Sequence, residues 1–244
     1  MSSSGLITQN FQIMTNDNKQ QKLSDSTDTA IAYSTCCVSG AVSKDGISLI
    51  HGDCLQALKS YDDNHFAWAI VDPPYKEETT GLSAGFNRDH FNYETLNTPP
   101  TKEYINQLFR VSKNQIMWGF NYYMELLPNT DACIVWNKHQ NGHFSEAELA
   151  WCSSGKTRIF DRPYQKDIGN KIHPTQKPIQ LYKFCLEHYT NEGDLILDTH
   201  LGSGSIAIAC HQMKRKLIGY EIDAEYYQKA CKRFEEETRQ TALW

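Results

Sequence analysis

Two short stretches of the 244-residue chain hold residue types that could do chemistry. In the first, Asp72-Pro73-Pro74-Tyr75 follows the apolar run Phe66-Ala-Trp-Ala-Ile-Val71. Consecutive prolines stiffen the backbone and remove two N–H donors, which leaves carbonyls free to accept. A carboxylate beside such a carbonyl suits an amine conjugated to a ring. Accepting from both of its N–H groups would push the nitrogen toward a tetrahedral, nucleophilic state. The Tyr75 ring then offers a face on which a base can stack. An acidic, proline-rich surface turn is the plainer alternative for the same four residues.

In the second stretch, Asp198-Thr-His-Leu-Gly-Ser-Gly204 follows Leu195-Ile-Leu197. Gly202 and Gly204 would let the backbone turn sharply and approach a ligand closely. Nineteen residues beyond Gly202, Glu221 ends the next apolar run. A carboxylate there can accept from both hydroxyls of a ribose, as in a nucleotide-binding βαβ unit. The third glycine of that fingerprint is missing, so a dinucleotide is not favoured. A simple left-handed turn remains the alternative reading.

Both stretches need strands and helices to position them. Ser48–His51 reads as a strand and Cys54–Ser60 as a helix, with Phe66–Val71 a buried strand. A loop rich in Gly, Asn and Thr runs from Lys76 to about Pro100. Tyr104, Leu108 and Val111 then recur at helical spacing. Strands are expected at Gln115–Trp118, Ala132–Trp136 and Glu146–Trp151, followed by a basic, broken stretch to Lys171. A helix over Leu181–Tyr189 precedes a βαβα tail: Asp194–Asp198, a helix after Gly204, Lys216–Tyr220 and a helix from Ala224. Such alternation predicts an α/β fold, its sheet mostly parallel and covered on both faces.

Residues 1 to 44 are dominated by polar types and read as a polar N-terminal arm, mobile in most of its length, ahead of a domain over 45–244. The longest unbroken apolar run has six residues, and no basic, apolar leader opens the chain, so neither a membrane span nor a signal peptide is expected. Net charge is −5, which excludes a uniformly basic coat and confines any nucleic-acid contact to a local patch. Eight cysteines include no C-x2-C pair, and several sit in apolar contexts, so core thiols in a reducing cytoplasm are expected. His139 and His143 have no third partner at zinc spacing, and no metal is expected.

Together the two stretches resemble the S-adenosylmethionine-dependent DNA amino-methyltransferases (the N-4/N-6 DNA methylase family), over roughly residues 47–238. Asp72-Pro-Pro-Tyr75 comes first, then His173-Pro-Thr-Gln-Lys-Pro178, then the Gly-Ser-Gly turn. This permuted order is similar to that of the family's β group. The resemblance implies a Rossmann-like methyltransferase fold and a cytoplasmic protein of bacterial or phage origin. It implies that Asp72 and the Pro73 carbonyl, followed by Pro74, hold the target amine while Tyr75 stacks on the base. Asp198, Gly202, Ser203 and Gly204 would line the methionine end of the cofactor, with Glu221 on its ribose and Asp53 at its adenine edge. Thr175 and Lys177 would help to seat the methionine carboxylate. The family usually carries Asp-Pro-Phe ahead of its glycine turn. Here Asp198-Thr199-His200 stands in its place, with His200 expected to replace the Phe contact by stacking.

Between Lys156 and Lys177, six basic residues face only Asp161 and Asp167, with Phe160 and Tyr164 interleaved. This region, centred on 155–172, is expected to contact DNA through Arg158, Arg162, Lys166 and Lys171, an ordinary solvated loop being the alternative. Members of the β group often pair, so a homodimer is compatible with the resemblance. An Asp at the first position of the catalytic motif accompanies adenine N6 methylation in this family and a Ser accompanies cytosine N4, so Asp72 points to adenine. Cytosine N4, an RNA base, or a non-catalytic DNA- or cofactor-binding partner are the alternatives.

Overall fold

A computed structural model describes residues 41–75, 99–140, 145–164, 171–173 and 175–239. In chain order the elements are β1 (Ala41–Lys44), β2 (Ile47–His51), α1 (Cys54–Leu58), β3 (Phe66–Val71), α2 (Lys102–Val111), β4 (Ser112–Trp118), β5 (Ala132–Asn137), β6 (Ala147–Cys152) and β7 (Arg158–Asp161). There follow α3 (Ile179–Tyr189), β8 (Leu195–Asp198), α4 (Ser205–Gln212), β9 (Lys216–Glu221) and α5 (Ala224–Arg239). All the described strands join one sheet in the order β1-β2-β9-β8-β3-β4-β6-β5-β7. The central run from β2 to β4 is parallel, β6 is antiparallel to both of its neighbours, and β1 and β7 form the edges.

Alternation along the strands builds a core on each face. Trp68, Ile70, Ile116, Trp118, Ile196 and Leu217 pack toward α3, α4 and α5. Ala69, Val71, Met117, Leu197 and Ile218 pack toward α1 and α2. On the second face, α2 buries Tyr104, Ile105, Leu108 and Val111, the spacing that its sequence announces. The Thr101 hydroxyl caps its start by accepting from the Tyr104 amide at 3.2 Å. Near its end, Arg110 donates to the carbonyls of Leu58 and Tyr61 and so ties α2 to the connection that leads into β3.

Two strands depart from the sequence expectation. β1 falls within the last residues assigned to the polar arm and pairs antiparallel with β2. Its turn is Asp45-Gly46, both at positive φ (50° and 80°), the dipeptide that a two-residue hairpin favours. β7 lies inside the basic stretch read as broken and adds in parallel to β5. Residues 1–40 and most of the expected loop after Lys76 lie outside the described residues.

Candidate active site

Parallel strands β8 and β3 lie side by side, and from them the chain winds in opposite directions, β8 toward β9 and β3 toward β4. A crevice outside the carboxyl ends of such strands is where open α/β sheets bind ligands. Asp198 ends β8, Glu221 ends β9, Asp53 follows β2 and Asp72 follows β3, so the residues expected to act converge on this one edge.

On the β8 side, Gly202 and Gly204 take positive φ (52° and 71°), as expected of a turn that only glycine adopts readily. The carboxylate of Glu221 fastens this turn: Oε2 accepts from the Gly202 amide at 2.8 Å and Oε1 from the Asp223 amide at 3.0 Å. Each oxygen keeps a lone pair for a further donor. Burial raises the Glu221 pKa against the pull of these amides. Asp53 caps α1 by accepting from the Leu55 amide at 2.8 Å. Ile222, directly after Glu221, is exposed and presents an apolar surface beside it. Ser203 is buried, and its carbonyl accepts from Arg233, which also reaches the Ser205 hydroxyl, both at 2.9 Å.

The Asp198-Thr199-His200 departure has a local logic. Asp198 is buried, and desolvation above all pushes its carboxyl up to about 8, although the His200 amide donates to it at 3.0 Å. The Thr199 hydroxyl lies 2.7 Å from the Tyr104 hydroxyl and 2.9 Å from His200 Nδ1. The Tyr104 and His200 rings meet edge to face at 5.5 Å. Burial pulls the His200 pKa down to about 4, so the imidazole is neutral. The site thus holds an aromatic ring at this position, anchored by hydroxyls on two elements.

On the β3 side, Asp72 Oδ2 accepts from the Lys177 ammonium at 2.5 Å. Asp72 Oδ1 is out of solvent contact and has no hydrogen-bond partner. Burial raises the Asp72 pKa, with Lys177 opposing and Glu148 reinforcing. Lys177 is itself buried and also contacts Glu148 Oε2 at 3.2 Å. Burial opposes its charge, yet Asp72 and Glu148 together hold its pKa above the ordinary range. The ammonium expected at the methionine carboxylate is therefore engaged by Asp72. Its motif joins the two halves of the site. At its other end His173 lies against Gly202, 3.7 Å from where a Cβ would stand, and Thr175 contacts His173 Nδ1 at 3.2 Å.

Pro73 is buried, and the Tyr75 ring stacks on Tyr122 with centroids 4.5 Å apart and planes 7° from parallel. Gly119, at the end of β4 with φ 70°, makes room for this ring, because a Cβ there would overlap Tyr75. Gly119, Tyr122 and Glu148 were given no role from sequence. Their contacts with Tyr75 and Lys177 cross between distant parts of the chain, which no contiguous motif records.

The expected DNA contacts are more scattered. Arg158 is half-buried on β7, and its Nε is out of solvent with no hydrogen-bond partner. Arg162 follows β7 and binds β5 through its backbone, its carbonyl accepting from Trp136 Nε1 at 2.9 Å. Lys166 lies outside the described residues. Lys171 turns inward in place of the solvent-facing pose expected of a phosphate contact. Its ammonium sits 3.8 Å from the centre of the Tyr164 ring, and desolvation lowers its pKa to about 8. Among the described residues, no group of three or more His, Cys, Asp or Glu side chains could hold a metal, and His143 lies outside them. No described helix is long and apolar enough to cross a membrane.

Comparison with known proteins agrees with this geometry. Type II methyltransferase M.HpaI of Haemophilus parainfluenzae is 25% identical, across 78% of this chain and 74% of its own. M.HinfI of Haemophilus influenzae is 24% identical, across 78% and 68%. Among solved structures, the M1.HpyAVI–SAM complex superposes with a TM-score of 0.53 at 21% identity, covering 77% of this chain and 98% of that one. The cytosine-N4-specific PvuII DNA methyltransferase gives a TM-score of 0.53 at 14% identity, covering 80% and 90%. These likenesses fix the fold as that of the solved DNA methyltransferases. Residues 13–232 match the N6/N4 DNA methylase family, and the chain belongs to it.

Proposed function

We propose that this chain transfers the methyl group of S-adenosylmethionine to the N6 amine of adenine in DNA, with the base turned out of the duplex. Asp72 Oδ1 carries the reading: it is a buried acceptor without a partner, beside an aromatic stack and one strand away from a nucleotide-type turn. A buried acceptor left unpaired is costly, and an incoming N–H group would relieve that cost.

When bound, S-adenosylmethionine supplies an electrophilic methyl group on a sulfonium. Glu221 would accept from its ribose hydroxyls and Asp53 would serve its adenine edge, while the Gly202–Gly204 turn with Asp198, Thr175 and His200 would hold its methionine end. Asp72 Oδ1 and the Pro73 carbonyl each accept one hydrogen of the target amine, which draws its lone pair out of conjugation. Lys177 holds Asp72 Oδ2 throughout, so the carboxylate presents one fixed oxygen. Tyr75 gives the base its stacking surface, and Pro74 stiffens the path to it. Arg158, Arg162, Lys166 and Lys171 lie in the segment assigned to DNA, for which Lys171 would have to swing off Tyr164. A second copy of the chain is compatible with this scheme. Asp rather than Ser at position 72 is the reason to favour adenine.

The test is nucleoside mass spectrometry on unmethylated genomic DNA incubated with the protein and S-adenosylmethionine. N6-methyladenine is expected, and Asp72→Ala should abolish it while cofactor binding, read by calorimetry, stays nearly intact. N4-methylcytosine would overturn the choice of base. Cofactor binding with no methylated base in DNA would shift the substrate to RNA, and no cofactor binding would mark a non-catalytic partner.

A further inference from the structure

Behind Asp72 lies a row of charges, two of which, Glu148 and Lys138, no expected role absorbs. From Asp72 Oδ2 it runs to Lys177 at 2.5 Å, to Glu148 Oε2 at 3.2 Å, and from Glu148 Oε1 to Lys138 at 3.2 Å. Lys177 and Lys138 are both buried, and the side chain of Glu148 is only 26% exposed. Glu148 sits on β6, two strands from β3, and so touches the reacting centre only through Lys177. A lysine ammonium has three rotatable donors and no preferred plane, so by itself it would not fix one rotamer of Asp72. A second carboxylate on the same ammonium supplies the missing constraint.

We infer that Glu148 is a positioning residue: it holds Lys177 on Asp72 Oδ2 and thereby keeps Oδ1 aimed and unpaired for the substrate amine. The inference rests on the proposed methyl transfer. Glu148 also acts on Asp72 as a like charge. Lys138 and Lys177 neutralise it, and its pKa lies below the ordinary range because they outweigh its burial. The other groups facing this row are Tyr182, His173 and Cys185 at Lys177, Tyr182, Tyr123 and Asp198 at Asp72, and Lys171 at Glu148 and Lys138. With Gln at 148, whose amide oxygen can still accept from Lys177, Asp72 would keep the Lys177 ammonium and lose a like charge, and would ionise more readily.

Glu148→Gln keeps the shape and removes the charge. Turnover on unmethylated genomic DNA is expected to fall roughly ten- to a hundredfold, while the KM for S-adenosylmethionine changes by less than about twofold. The acid limb of the kcat profile should move to lower pH, and Glu148→Asp should return it toward the wild-type position. A 13C NMR titration of the Asp72 carboxyl, assigned by its loss in Asp72→Asn, should show the same downward shift without turnover. Wild-type turnover in Glu148→Gln, or an Asp72 titration that does not move, overturns the inference. If Glu148→Gln fails to fold, Glu148→Met, of similar volume and without a charge, takes its place, and wild-type turnover there would do so. A wild-type protein that methylates no DNA would sink the functional reading instead, and the NMR titration would still decide the role of Glu148.

Discussion

Asp198 and Asp72 are two carboxylates that end adjacent strands, and burial keeps both from ionising as readily as they would in water. Asp198, at about 8, holds a proton in the folded protein that the unfolded chain releases near 4. The stabilisation from this proton is complete below the unfolded value and is lost as pH rises through the folded one. Asp198→Asn retains an oxygen for the His200 amide and never ionises. It is expected to melt above the wild type near pH 8.5, by on the order of a few kcal/mol in stability, with the gap closing toward pH 4. Melting curves followed by circular dichroism across that range would check this, and a gap independent of pH would remove the buried proton. His173 and His200, both held down to about 4 by burial, act oppositely: their contribution is present above the usual histidine range and lost as pH falls through 4. They are common to both proteins and cancel in the comparison.

At the level of elements, function depends on a few residues that set how strands end. Gly119 is the sharpest case, since it combines positive φ with the space taken by Tyr75. Gly119→Ala is expected to cost about 1–3 kcal/mol and to raise the KM for DNA more than that for S-adenosylmethionine. Denaturant melts and steady-state kinetics on genomic DNA would separate the two effects, and a variant equal to the wild type in both would show that the Tyr75 ring need not lie there. The sheet and helices were largely legible because strands β3 and β8 and helix α2 carry long or periodic apolar signals. Asp72, Gly202, Gly204 and Glu221 were legible because each motif is contiguous or lies at a known remove within one βαβ unit. β1 and β7, four residues each, escaped because so short a run carries little periodicity, although Asp45-Gly46 was a usable signal for the first. Glu148 and Tyr122 escaped for another reason: their partners are far along the chain, and only pairing across strands brings them together.

For the whole molecule, net charge is −5, so DNA must be held locally against an overall repulsion. Replacing Arg158 and Arg162 with Ala is expected to weaken DNA binding and to reduce the slope of log affinity against log salt by up to about two. Fluorescence anisotropy at several salt concentrations would measure this, and an unchanged slope would return β7 to a purely structural edge. The sheet order also bears on how the chain is made. Apart from its hairpin partner, β2 has only β9 beside it, and β3 on the β8 side waits for residues 195–198. At roughly 5–20 residues per second, the β1–β2 hairpin leaves the ribosome about ten to thirty seconds before β9 exists. During that interval β3, β4, β6 and β5 can assemble, but one flank of β3 and one of β2 stay open. Asp72 therefore waits in water, with neither Lys177 nor the glycine turn yet translated. The crevice at Asp72 is a seam that residues 177–221 sew shut, and a nascent chain arrested before them would hold unsheltered strand edges and no closed site.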